Sequence, residues 1–188
     1  PDLNQSNPLV KQYLIQNAIW WVESGTLDGL RLDTFPYVDR SFWQEFHAVL
    51  HALYPNLTTV GEVYSPDPTV VSDFDGGVKR AGIDTGVDTL FDFPSYFALR
   101  AILAGTSPAG GASMTALKSV DRLDWLYPHA DQLVTFLGNQ DTGRFLAGAG
   151  ASPARLRLAF GLLTTMRGMP QIYAGDEVTM AGSNLNNR

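Results

Sequence analysis

Four charged side chains stand where short apolar runs of the sequence end. Three are carboxylates and one is a guanidinium: Asp33, Glu62, Asp141 and Arg31. Arg31 and Asp33 are two residues apart, so a β-strand points both side chains to the same face. If the apolar runs are neighbouring parallel strands, the four groups converge at one edge of the sheet. Such a set suits combined nucleophilic and acid/base chemistry on an acetal.

The surroundings expected for each group predict its role. Asp33 would be the nucleophile, kept ionised by Arg31 and by hydrogen-bond donors around it. Glu62 would be the general acid/base, with its pKa raised by burial and by ionised neighbours. Asp141 would bind sugar hydroxyls and stabilise positive charge in the transition state. Neighbouring strand ends are about 4.8 Å apart, which is compatible with the carboxylate separation of about 5–5.5 Å in retaining glycosidases.

Each of these residues also has a purely structural interpretation. A single Asp or Glu is more often a helix N-cap or a solvated loop residue. An Arg31–Asp33 pair can equally be a structural ion pair. Spacing alone leaves both interpretations open.

The elements that must position these groups alternate between helical and extended patterns. Helices are predicted at residues 8–24, 41–54, 95–104, 112–126 and 152–167. Strands are predicted at residues 27–33, 58–63, 89–93, 133–137 and 171–174. Ser95 is the expected N-cap of its helix, and residues 65–86 form a predicted loop. The four tryptophans lie in helical patterns that are typical of packing residues. Five strands alternating with helices imply a parallel sheet and part of a closed barrel, which needs roughly 250 residues.

Length and composition narrow the class of protein. A chain of 188 residues, 45% hydrophobic and 17% charged, is predicted to form one globular domain with a real core. The sequence contains no apolar run long enough for a membrane span, and a net charge of −6 argues against nucleic-acid binding. Cysteine is absent, which excludes disulfides and thiolate sites. Neither end is typical of a natural domain end, so we expect a piece of a longer protein.

Three segments that carry the charged residues resemble conserved regions of the α-amylase family, glycoside hydrolase family 13. In family order, the segments similar to its second, third and fourth regions are Asp28–Asp33, Val60–Val63 and Phe136–Asp141. Arg144 matches an arginine that often follows the fourth region. Residues 1–5 resemble the segment before barrel strand four, and residues 172–177 resemble strand eight. The resemblance therefore covers nearly the whole chain.

The resemblance implies a retaining α-glucan hydrolase on a (β/α)₈ barrel, of which the chain holds about strands four to eight. By position, Asp33 is the implied nucleophile, Glu62 the implied general acid/base and Asp141 the implied transition-state stabiliser. The implied substrate-binding residues are Arg31, Asn139, Gln140, Arg144, Tyr64 and Tyr37. For the two tyrosines, stacking on glucose rings and packing within a loop are equally expected.

The run from Asp33 to Tyr37, followed by Asp39 and Phe42–Trp43, is most similar to neopullulanase and cyclomaltodextrinase-type members. This similarity implies cleavage of α-1,4-glucosidic bonds in maltodextrins, cyclodextrins or pullulan through a covalent glucosyl-enzyme intermediate. A transglycosylase would use the same residues. The alternative from another class is a non-catalytic barrel that binds glucan or a protein.

Two positions depart from the family pattern. Gln140 stands where the fourth region normally has a histidine that touches the sugar, so lowered activity or a shifted substrate preference is expected. Pro36–Tyr37 replace the Lys-His pair of many α-amylases, which weakens the expectation of ordinary endo-acting specificity.

Neither a cofactor nor a metal site is predicted within this chain. His47 and His51 have metal-capable spacing but lack a third ligand, and the acidic stretch at residues 73–88 lacks EF-hand spacing. Calcium bound by other parts of a parent protein stays open, as does a bacterial periplasmic or cytoplasmic location. The expected partners are an α-glucan and the rest of the parent chain, which would close the barrel; neither nucleic acid nor a membrane is expected.

The isolated chain is expected to be poorly stable and inactive, because part of a barrel leaves two strand edges open. Thermal unfolding followed by circular dichroism, together with a glucan-hydrolysis assay, tests this expectation. A cooperative melt combined with full hydrolysis by the 188-residue chain would contradict it.

Overall fold

The computed structural model describes residues 3–105 and 113–182, and the chain divides into two compact units. Unit 1 contains Pro1–Tyr64 and Val70–Leu90, and unit 2 contains Ser65–Thr69 and Phe91–Arg188. The first two residues of the family-like N-terminal segment and the start of the helix predicted at residue 112 lie outside the described residues. Across the described part of the chain, no helix is long and apolar enough to cross a membrane.

Each predicted helix and strand has a counterpart among the described residues, and one short helix and two short strands are additional. The α-helices are α1 (Pro8–Gly25), α2 (Arg40–Leu53), α3 (Pro68–Ser72), α4 (Phe93–Leu103), α5 (Met114–Asp121) and α6 (Pro153–Leu163). The strands are β1 (Gly29–Leu32), β2 (Thr58–Gly61), β3 (Lys79–Arg80), β4 (Ile83–Asp84), β5 (Thr89–Leu90), β6 (Val134–Phe136) and β7 (Met169–Gln171). Single 3₁₀ turns lie at Phe35–Tyr37, Asp124–Leu126, Ala130–Gln132, Phe145–Ala147 and Asp176–Val178.

Unit 1 is built around a parallel sheet with strand order β1–β2–β5. Its aromatic core comes mainly from α2, where Phe42, Trp43 and Phe46 are buried. The Trp43 ring stacks on Phe35 with centroids 4.6 Å apart, and the indole N–H donates to the Phe35 carbonyl oxygen at 2.9 Å. Because Phe35 follows Asp33 by two residues and is fully buried, this core fixes the segment that carries Asp33.

The stretch at residues 65–86 is only partly the predicted loop, because it contains α3 and the antiparallel pair β3–β4. Ala81 and Gly82 connect the two strands with φ values of 51° and 81°. Positive φ at both central residues matches the twist of a two-residue hairpin. Alanine is an uncommon residue there, so the hairpin has a weak sequence signal. The Asp84 carboxylate accepts hydrogen bonds from the Gly77 and Gly86 amides.

Unit 2 contains the parallel pair β6–β7, and Phe91 makes a parallel bridge to Val134 of β6. The core between its helices and strands consists of buried apolar side chains that include Leu99, Leu137, Phe145, Leu156 and Leu163. Helix α6 begins at its Ser152 cap, as expected, but ends at Leu163 rather than at residue 167.

Further predicted boundaries are wrong: the helix predicted to end at residue 126 ends at Asp121, the strand predicted over residues 89–93 ends at Leu90, and α4 and the last strand begin earlier than predicted. Ser95 is not the N-cap of α4, because the helix begins at Phe93 and the Asp92 side chain accepts a hydrogen bond from the Ser95 amide at 2.9 Å. Proline is tolerated in the first helical turn, so Pro94 does not prevent the helix from beginning at Phe93. The last strand spans Met169–Gln171 instead of residues 171–174, since Gly168 turns the chain with φ 102° and the Met169 amide pairs with Leu133.

Three of the four tryptophans are exposed, contrary to expectation. Trp43 is buried, but Trp20, Trp21 and Trp125 are 54%, 52% and 76% exposed. The face of α1 that packs inward carries Ile15 and Val22, which turns the neighbouring tryptophans outward.

Acid conditions are expected to destabilise unit 1 through His47. Its ring is 1% exposed, and Nδ1 lies 2.7 Å from the Thr85 carbonyl oxygen and 2.9 Å from that of Trp43. Burial lowers the pKa of His47 from 6.5 to about 4. The unfolded chain therefore binds this proton below pH 6.5, whereas the folded chain does so only near pH 4. The free energy of unfolding should fall across that window, by up to about 3 kcal/mol.

Urea unfolding of a protein that contains this chain, measured between pH 7.5 and 4, tests the His47 effect. A His47→Gln variant is the control, because glutamine keeps a side-chain donor but does not titrate. Its unfolding free energy should depend less on pH than that of the wild type. An identical pH dependence of the two proteins would contradict the prediction.

Candidate active site

Two neighbouring strands of unit 1 place Asp33 and Glu62 side by side. β1 and β2 pair in parallel with Leu32 opposite Gly61, and each carboxylate is the next residue along its strand. The Glu62 amide continues the ladder by donating to the Leu32 carbonyl oxygen at 3.0 Å. Strand register thus brings the two side chains to one edge.

Close approach of the strands depends on Gly61. A Cβ atom at this position would lie 2.8 Å from Leu90 Cδ2 and 3.1 Å from the Phe35 ring. A larger residue would therefore push apart the groups that support Glu62.

Arg31 donates hydrogen bonds to both candidate carboxylates, Asp33 and Glu62. Its Nη1 lies 3.1 Å from Asp33 Oδ1, and its Nη2 lies 2.7 Å from Glu62 Oε1. The Thr34 amide donates to the other Glu62 oxygen at 3.3 Å. Thr34 reaches this position with a left-handed backbone, at φ 50°. A carboxylate oxygen of Asp33 and one of Glu62 lie within 4.8 Å of each other.

Burial separates the acidities of these two carboxyl groups. The Glu62 side chain is 9% exposed and that of Asp33 is 64% exposed. Burial, together with the hydrogen bond to Asp33, raises the pKa of Glu62. The hydrogen bond from Glu62, followed by the Arg31 charge, lowers the pKa of Asp33 although partial burial acts in the opposite direction. Glu62 is therefore the weaker acid of the pair and Asp33 the stronger.

The candidate residues of unit 2 lie in the turn after β6. Asn139 is buried, and its Oδ1 accepts hydrogen bonds from the amides of Asp141 and Thr142 at 2.9 and 3.0 Å. The Asn139 amide in turn donates to the Thr142 hydroxyl at 2.8 Å. Gln140 Nε2 donates to Asp141 Oδ2 at 2.9 Å, and Asp141 is exposed. Asn139 therefore shapes the turn, and Gln140 holds the carboxylate at its tip.

Arg144 is buried in unit 2 rather than extended into solvent. Its Nη1 donates to the Ala174 carbonyl oxygen at 2.9 Å and to Asp176 Oδ1 at 3.2 Å. Its guanidinium also lies 4.5 Å from the centroid of the Tyr173 ring. These contacts tie the chain just after Asp141 to the segment that follows β7.

The two tyrosines predicted near the site are exposed. Tyr37 is 75% exposed at the end of the 3₁₀ turn after Asp33, and Tyr64 is 57% exposed two residues after Glu62. Sequence reasoning missed Thr34, whose amide binds Glu62. No residue pattern indicates it, because a β-branched residue rarely adopts positive φ.

A model of the family described as alpha amylase, catalytic domain, matches residues 1–188. The chain belongs to the α-amylase family. It is 35% identical to neopullulanase 2 of Thermoactinomyces vulgaris, over 97% of this chain and 29% of that protein. It is 33% identical to a cyclomaltodextrinase of Thermoanaerobacter pseudethanolicus, over 97% of this chain and 30% of that protein.

The fold agrees with solved structures of the α-amylase family. An α-amylase from Geobacillus thermoleovorans, solved with acarbose, superposes with a TM-score of 0.84 and 37% identity, over 97% of this chain and 40% of that one. The chain thus spans about 30% of the length of the curated relatives named above. The expectation of a partial (β/α)₈ barrel with neopullulanase and cyclomaltodextrinase relatives is confirmed.

The pKa of Asp33 should depend on the donor that Glu62 supplies. In Glu62→Ala the hydrogen bond to Asp33 is lost, so the Asp33 pKa should rise. In Glu62→Gln the side-chain amide can still donate, so the rise should be smaller. Titration of the ¹³C-labelled Asp33 carboxyl by NMR measures both. An Asp33 pKa that is the same in the wild type and in Glu62→Ala would contradict this account.

Proposed function

We propose that this chain supplies the catalytic carboxylates of a retaining glycosidase that acts on α-1,4-glucosidic bonds of α-glucans. The proposal depends on the pairing of an exposed Asp33, whose pKa is lowered, with a buried Glu62, whose pKa is raised. One carboxylate oxygen of Asp33 and one of Glu62 lie within 4.8 Å of each other. Retaining enzymes hold the two carboxyl groups about 5–5.5 Å apart, whereas inverting enzymes leave about 6.5–9.5 Å for a water molecule. The observed proximity supports the retaining course.

In the first step, Asp33 attacks the anomeric carbon of the bound glucosyl unit. Glu62 gives its proton to the glycosidic oxygen, so the bond to the leaving chain breaks and that chain departs with a new hydroxyl group. The glucosyl unit stays on Asp33 as an ester. Arg31 assists because its charge keeps Asp33 ionised before the attack.

In the second step, Glu62 is ionised and acts as the base. It takes a proton from a water molecule, whose oxygen attacks the anomeric carbon and displaces the Asp33 carboxylate. The product keeps its original configuration, and both carboxyl groups return to their starting states. A sugar hydroxyl in place of water would give transglycosylation with the same residues.

The remaining candidates are proposed either to contact the substrate or to position a residue that does. Asp141 would accept hydrogen bonds from sugar hydroxyls and stabilise the developing positive charge, with Gln140 holding its carboxylate. Asn139 is proposed to support this contact by shaping the turn, and Arg144 by anchoring the chain that follows it. Exposed Tyr37 and Tyr64 offer ring faces on which glucose units could stack.

The names of the relatives support the choice of substrate. Neopullulanase and cyclomaltodextrinase relatives favour maltodextrins, cyclodextrins or pullulan, and the acarbose complex of a similar α-amylase favours an α-glucan. The relatives are much longer than this chain, so we propose that the activity belongs to a protein in which further strands complete the barrel. Two carboxyl groups suffice for the proposed chemistry without a cofactor.

Replacement of the nucleophile tests the proposed function. A protein that contains this chain and its Asp33→Asn variant would be incubated with γ-cyclodextrin, pullulan and soluble starch, and the products separated by chromatography. We expect cyclodextrin opening, or panose from pullulan, to fall by roughly 10⁴-fold in the variant, because an amide cannot form the ester. Glucan binding should persist. ¹H NMR of the first products should show the retained anomer.

Asp131→Asn is the matched control, because Asp131 is an exposed carboxylate in a 3₁₀ turn outside the proposed site. It should keep wild-type turnover. An Asp33→Asn variant as active as the wild type would overturn the nucleophile assignment. If the wild type forms no product from any substrate but binds glucan, the binding-module alternative takes its place, and Gln140→His becomes the first variant to assay.

A further inference from the structure

Unit 2 contains a buried arginine that no motif of the sequence indicates. Arg100 lies on α4 and is 7% exposed. Its Nη1 donates to the carbonyl oxygens of Leu137 at 3.3 Å and of Gly143 at 2.9 Å. These two residues flank residues 138–142, called here the Asp141 loop. One nitrogen atom therefore contacts both ends of this loop.

We propose that Arg100 is a positioning residue that holds the Asp141 loop in its working conformation. The inference rests on the proposed function, in which Asp141 contacts the sugar. It assigns the positioning of that carboxylate to α4, a helix that lies outside the segments resembling the family's conserved regions.

Three hydrogen bonds within the Asp141 loop restrict its internal motion, so the position of the loop depends on its two ends. Asn139 Oδ1 binds two loop amides, and the Thr142 hydroxyl binds the Asn139 amide. A loop braced in this way moves as one body, so the position of Asp141 follows from what holds Leu137 and Gly143. Arg100 donates to the carbonyl oxygens of both.

Arg100 lies on a helix that packs into a buried apolar core. Helix α4 packs into the core of unit 2 through Leu99 and Leu103, which are almost fully buried. The Arg100 guanidinium lies over the rings of Tyr96 and Phe145, 5.8 Å from each centroid. A planar guanidinium suits such stacking better than a flexible ammonium group does.

The positive charge of Arg100 acts on a buried acidic side chain, that of Asp176. Burial raises the pKa of Asp176, while the charges of Arg144 and Arg100 lower it. The two arginines thus face one acidic side chain, and Arg144 anchors the chain immediately after the loop by donating to Ala174. The loop is held at both ends by Arg100 and beyond its C-terminal end by Arg144.

The test combines turnover with amide exchange in a protein that contains this chain. In Arg100→Met we expect kcat on γ-cyclodextrin to fall about 10- to 100-fold with KM changed less than about threefold, because a small misplacement of a catalytic group costs rate. Hydrogen–deuterium exchange should accelerate at the amides of Asp141 and Thr142 while α6 stays protected. Arg157→Met, at an exposed arginine of α6, is the matched control and should change neither readout.

Arg100→Lys keeps the charge and one donor group, so it should recover part of kcat and part of the loop protection. If Arg100→Met does not fold, Arg100→Lys decides by the same two readouts. Unchanged kcat and unchanged exchange in a folded variant would overturn the inference, and so would faster exchange spread evenly over α4 and α6. An inactive wild type would defeat the proposed function, whereas exchange at Asp141 and Thr142 would still decide the role of Arg100.

Discussion

A single guanidinium shared by two carboxylates of unequal burial is the interaction on which the candidate site of unit 1 depends. Arg31 supplies a positive charge to both, but only Glu62 has lost most of its contact with water. Desolvation penalises the charged form, so the pKa of Glu62 is raised while that of Asp33 is lowered. Two chemically similar groups thereby acquire different acidities.

The two units position their candidate carboxylates by different kinds of contact. In unit 1 the strand register does most of the work, because β1 and β2 end together and Gly61 lets their neighbours approach closely. In unit 2 the candidate carboxylate stands on a turn beyond β6, where strand pairing no longer helps. There the position depends on side chains: Asn139 inside the turn, and buried arginines around it.

The sequence predicted the features that follow from simple periodicity. Arg31 and Asp33 share a face because strands repeat every two residues, and the candidate residues are recognisable because polar groups follow apolar runs. Features that depend on distant contacts escaped prediction. The positive φ of Thr34 is imposed by its surroundings, and Arg100 has no pattern that distinguishes it from an ordinary helical arginine. The exposure of Trp20 and Trp21 follows from which face of α1 packs, which a helical pattern alone did not fix.

Asp92 joins parts of unit 2 that are far apart in the sequence. One carboxylate oxygen caps α4 through the Ser95 amide, and the other accepts a hydrogen bond from Arg167, which also binds Asp124. Asp92 thus links the start of α4 to Arg167, and α4 also carries Arg100, which contacts both ends of the Asp141 loop. A chain of side-chain contacts therefore connects the segment after α6 with the Asp141 loop through α4.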